Sequence, residues 1–89
     1  MKETTVQVLC PNGIHISPAG VMAKLLSPLS ARVSIFRGEA RANAADVDEV
    51  LALALREGEH VTLRAEGADA EKATEIVCSL LLEGTKMLA

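Results

Sequence analysis

Residues 58–84 read GEHVTLRAEGADAEKATEIVCSLLLEG, a strand, a turn and a helix in one stretch. From His60 to Glu66, Val61, Leu63 and Ala65 alternate with Thr62 and Arg64. That two-residue period belongs to a strand with one apolar face. Gly67 turns the chain and Asp69 stands where a helix N-cap is expected. Ala73, Ile76, Val77, Leu80 and Leu81 then recur at helical spacing, and Gly84 ends the run. A half-apolar strand followed by a one-sided helix implies a sheet covered by helices on one face and wetted on the other.

The upstream sequence repeats this logic. Thr4 to Leu9 alternates as a first strand, and Cys10 to Gly13 is a loop. Pro18 is expected at the first helical position, followed by the stripe Ala19, Met22, Ala23, Leu25 and Leu26. Ser27 and Pro28 stop that helix. Ala31, Val33 and Ile35 alternate with Arg32, Ser34 and Phe36 as a second strand. Arg37-Gly38 turns it into a return strand, Glu39 to Asn43. Asp46 and Glu49 have capping-box spacing before a helix expected to run to Arg56 or Glu57, where Gly58 stops it. The order β-α-β-β-α-β-α predicts an α+β open-faced sandwich: a four-stranded antiparallel sheet covered on one face by three helices.

The chain has 89 residues, read as one small domain over 1–89, with a formal charge of −3. Phe36 is the only aromatic residue. An acidic, nearly aromatic-free chain lacks the basic and stacking features of nucleic-acid binders. No apolar run approaches the roughly 20 residues of a spanning helix, so membrane insertion is not expected. The first ten residues alternate and carry no signal-peptide core, which predicts a soluble, cytoplasmic protein. Cys10 and Cys78 form no CxxC pair and are read as buried, reduced thiols. Neither they nor His15 and His60 show metal-ligand spacing, and no cofactor is expected.

His15 stands out, in GIHISPAG (residues 13–20), just before a helix. A helix start exposes unpaired N–H groups and the positive end of the dipole. Both favour an anion and disfavour an imidazolium. A neutral imidazole there is a nucleophile toward a phosphoryl group. The N–H groups of Ile16, Ser17 or Ala19 are placed to cradle the product's oxygens. A surface histidine with no role is the plain alternative. No second catalytic group or substrate pocket points to a turnover enzyme.

GIHISPAG resembles the active-site segment of the HPr family, Gly-Leu-His-Ala-Arg-Pro-Ala, with Gly13, His15, Pro18 and Ala19 matching. GEARANA (residues 38–44) is similar to the family's next turn and strand. GEHVTLRAEGADAEKA is similar to its last strand and helix, through Gly58, Val61, Thr62, Ala65, Glu66, Gly67, Asp69 and Ala73. The resemblance covers nearly the whole chain. It implies a stoichiometric phosphocarrier of the bacterial phosphotransferase system. Such a protein takes a phosphoryl group from an enzyme I-like donor, ultimately from phosphoenolpyruvate, and passes it to sugar-specific or regulatory acceptor proteins. His15 matches the acceptor histidine, phosphorylated at Nδ1 in the family.

Two departures fall on positions that matter in the family. Its arginine two residues after the histidine is Ser17 here, which offers a hydroxyl or a helix cap but no charge. The serine phosphorylated for regulation in one branch is Asp46 here, either a fixed charge imitating phosphoserine or a plain N-cap. The family's docking face carries over to Gly20, Lys24, Val47, Asp48 and Leu51. Asp46, Asp48 and Glu49 put acids at its edge, where like charge opposes an ordinary partner. The alternative to a carrier is therefore an HPr-like regulatory or interaction domain with weakened or lost transfer.

Overall fold

The computed structural model describes residues 2–85. Four strands, β1 (Lys2–Gln7), β2 (Arg32–Arg37), β3 (Ala40–Asn43) and β4 (His60–Glu66), form one sheet in the order β1-β4-β2-β3. All three pairings are antiparallel. Helices α1 (Ile16–Leu26), α2 (Val47–Leu53) and α3 (Ala70–Glu83) complete the order β-α-β-β-α-β-α. The expected architecture is the one observed. Val33, Ile35, Val61, Leu63 and Ala65 are buried on the sheet's inner face, with Met22 of α1, Val50 of α2 and Leu80 of α3 against them. The polar alternates Arg32, Ser34, Arg64 and Glu66 lie on the opposite face, which no helix covers.

Several boundaries differ from expectation, each for a physical reason. β1 ends at Gln7; Val8 still bonds Glu59 and Gly58 just before β4, and from Leu9 the chain turns away, the N–H groups of Leu9 and Cys10 both donating to the Leu81 carbonyl near the end of α3. α1 begins at Ile16, so Pro18 is its third residue and not its first. The first-turn N–H groups have no intrahelical acceptor, so proline is tolerated at any of them. The N-cap is His15, which makes no side-chain capping bond, so Ser17 lies inside the first turn and is not the cap.

α2 ends at Leu53 rather than Arg56 or Glu57. Ala54 adopts a left-handed conformation (φ 50°), and Leu55 turns into the core at 3% exposure. The Arg37 guanidinium donates to the Leu53 carbonyl and, at 3.5 Å, to that of Ala54. Burial of Leu55 and this borrowed cation outweigh the helical propensity of the Ala-Leu run. Asp69 sits at the N-cap of α3, but its carboxylate accepts from the Ser30 N–H at 2.8 Å and caps no α3 amide. Cys78 is partly buried on α3, where burial pushes its thiol up and Lys2 pulls it partly back.

Candidate functional site

The loop before α1 is fixed by its backbone. Gly13 has φ +71°, and a Cβ there would collide with the Leu55 carbonyl oxygen and Arg56 Cα. Only glycine satisfies both the left-handed backbone and that close approach. The Leu55 carbonyl accepts from the Ile14 N–H at 3.0 Å, and Cys10 Sγ donates to the Gly13 carbonyl at 3.4 Å. Ile14 is anchored in the core at 5% exposure, so the next residue is presented outward.

That residue is His15, exposed and extended (φ −108°, ψ −168°) at the head of α1. Its imidazole has no hydrogen-bond partner among the described residues. It borders a hollow of about 140 Å³ formed with Cys10, Pro11 and Pro18 and with Glu83, Gly84 and Thr85 at the end of α3. The expected three-amide cradle reduces to two. The Ala19 N–H makes the first helical bond, to the His15 carbonyl at 3.1 Å, and Pro18 has no N–H. Ile16 and Ser17 remain exposed with N–H groups that a helix start leaves unpaired, Ile16 at 70% exposure. An anion held beside His15 meets these two donors and the dipole's positive end.

Of the other predicted residues, Gly20 and Lys24 lie on α1, Lys24 exposed in its last turn. Val47 and Leu51 lie on α2, half-buried against the core, and Asp48 is exposed beside them. The two helices pack together. Asp46 caps α2: its Oδ1 accepts from the Glu49 N–H at 3.1 Å. The reciprocal arm differs from a simple capping box, because Glu49 Oε1 accepts from the Asn43 N–H at 2.9 Å. Glu49 is thereby drawn toward the uncovered sheet face, leaving Asp46 and Asp48 as the acids at the start of α2.

Residues 2–83 match the family model described as PTS HPr component phosphorylation site. The chain belongs to the HPr family. It is 34% identical over 83 residues to the phosphocarrier protein HPr of Lysinibacillus sphaericus, covering 93% of this chain and 94% of that one. It is 41% identical over 63 residues to the phosphoryl donor subunit DhaM of the PEP-dependent dihydroxyacetone kinase of Providencia stuartii (strain MRSN 2154). That match takes in 71% of this chain but only 13% of the longer relative. The crystal structure of HPr-C-His from Thermoanaerobacter tengcongensis superposes with a TM-score of 0.84 at 27% identity, covering 100% of this chain and 98% of that one. HPr-like phosphocarrier function in the phosphotransferase system follows from this membership.

Against that HPr frame, sequence reasoning missed one part of the site. Glu83, Gly84 and Thr85 approach His15 from about seventy residues downstream. No spacing rule brings them together. The nearest local signal is Gly84 itself, which marks where α3 stops.

Proposed function

We propose that His15 is the phosphoryl acceptor. An unprotonated imidazole nitrogen attacks phosphorus, a P–N bond forms, and the bond to the donor breaks with its electron pair leaving on the donor. The Ile16 and Ser17 N–H groups hold the transferred oxygens, and the α1 dipole offsets their charge. The donor is an enzyme I-like protein charged from phosphoenolpyruvate, and the recipients are sugar-specific or regulatory acceptor proteins. Gly20, Lys24, Val47, Asp48 and Leu51 form the face these partners share. The protein acts stoichiometrically in the cytoplasm, as a carrier and not as a turnover enzyme. The observation that carries this reading is the exposed imidazole at the α1 N-cap, without a hydrogen-bond partner among the described residues, beside the two first-turn amides of Ile16 and Ser17.

Incubation with the cognate enzyme I and phosphoenolpyruvate, followed by intact mass, tests it. One acid-labile, alkali-stable phosphoryl group is expected, lost in His15→Ala and retained in His60→Ala. Labelling that survives His15→Ala removes the proposal. The exposed Asp46 and Asp48 and the uncharged Ser17 favour a second reading, a regulatory HPr-like protein with slow transfer, which a wild type resisting phosphorylation by its cognate donor would support.

A further inference from the structure

The face of the sheet away from the helices holds a basin that neither His15 nor the start of α1 lines. The strand register determines its contents. Arg41 lies opposite Phe36, Asn43 and Arg64 flank Ser34, and Arg32 lies opposite Glu66. All have the parity that points away from the core. Three of the chain's five arginines, Arg32, Arg41 and Arg64, therefore line one concavity of about 380 Å³, with Ser34, Phe36 and Asn43 between them. A chain whose net charge is −3 concentrates its guanidinium groups here.

The three arginines are held differently. Arg64 is anchored: it pairs with Glu3 at 3.1 Å and lies over the Phe36 ring, 5.3 Å from its centroid. Arg32 and Arg41 have no ion-pair partner among the described residues. The Ser34 hydroxyl likewise has no hydrogen-bond partner among them. Two carboxylates reach the same basin, but Glu49 is tied to the Asn43 N–H, and Glu66 faces Arg32 across the strands without forming an ion pair. Two open guanidinium forks and an open hydroxyl around one hollow match the oxygens of a phosphate group. The volume is that of a small-molecule cleft.

We propose that this basin binds a small phosphorylated molecule, its phosphate oxygens bridging Arg32 and Arg41 over Ser34. The site is independent of His15. Its rim is the turn into α2, where Asn43 bonds Glu49 and its carbonyl accepts from the Asp46 N–H at 3.0 Å. A ligand there lies against Asn43 and Glu49, at the start of α2.

The test is an amide-resolved NMR titration of the full chain with inorganic pyrophosphate at constant ionic strength. Saturable shifts at Ser34, Arg41 and Asn43 are expected, separate from any at Ile16 and Ser17. Arg32→Gln/Arg41→Gln should weaken the sheet-face response about tenfold or more, the effect of losing charge-assisted bonds, and leave the α1 response unchanged. Each single variant should give part of that loss, and they carry the test if the double variant loses the native spectrum. The proposal is overturned if shifts appear only at Ile16 and Ser17, if sodium chloride reproduces them, or if the arginine variants respond like wild type. Binding to phosphatidylglycerol vesicles without a pyrophosphate response overturns it too, because the face would then read a lipid surface.

Discussion

Gly13→Ala separates two effects that glycine normally combines, and Gly38→Ala is its internal control. Both glycines have positive φ, +71° and +60°. Placing alanine in the left-handed region costs about 1–2 kcal/mol at either site. At Gly38 a Cβ points into open space, so the cost ends there. At Gly13 the Cβ meets the Leu55 carbonyl oxygen, which must shift. That oxygen accepts from Ile14 at 3.0 Å, and both residues are buried. A buried donor left unsatisfied adds about 1–3 kcal/mol. For a chain of this size 1 kcal/mol is about 4–8 °C of melting temperature, so Gly13→Ala should melt at least about 4 °C below Gly38→Ala. Thermal unfolding followed by circular dichroism measures the gap. Because the same carbonyl fixes the loop ahead of His15, the initial phosphorylation rate should also fall in Gly13→Ala and hold in Gly38→Ala, measured where both are folded. Equal melting temperatures would refute the reasoning, since the Leu55 contact would then carry no energy.

Three further substitutions, at two positions, address the starts of α1 and α2. Asp46→Ala should lose about 0.5–2 kcal/mol with the capping bond to Glu49, whereas Asp46→Ser keeps a capping oxygen and should melt close to wild type. If the charge of Asp46 opposes docking, Asp46→Ser also speeds transfer from a family enzyme I; no change in rate leaves Asp46 as a cap alone. Ser17→Arg should speed that transfer through a charge-assisted contact to the phosphoryl group or the donor. It should leave the melting temperature nearly unchanged, because Ser17 is exposed and caps nothing; an unchanged rate would mean that the backbone donors suffice.

Element types and their order were legible because each strand and helix shows its own period. β4 ran from His60 to Glu66 as read, since its alternation is flanked by turn residues on both sides. The ends of α2 and β1 were not legible. Ala54 and Leu55 continue a helical pattern, and what stops it is Arg37, seventeen residues earlier, together with the burial of Leu55. Leu9 fits a strand, yet its N–H is taken by Leu81 of α3. At the site, His15 was legible from a local motif, whereas Glu83 and Gly84 beside it come together only through the fold. Asp69 shows the same limit: its position at the N-cap was readable, but its bond to Ser30, across thirty-nine residues, was not.

The place of β1 in the sheet has a consequence for synthesis. Within this sheet β1 is made before its partner: among the described residues it pairs only with β4, Lys2 opposite Ala65. The β2–β3 hairpin closes locally, but β1 finds no edge until β4 has left the ribosome. At roughly 5–20 residues per second, those intervening sixty-odd residues mean a wait of about 3–12 s with the strand's backbone unpaired. Non-local pairing of this kind tends to slow refolding as well, because loop closure precedes the contacts that reward it. Lys2, Glu3, Thr4 and Thr5 make the waiting segment hydrophilic, with charge of both signs, which suits a strand that must stay in water before its partner exists.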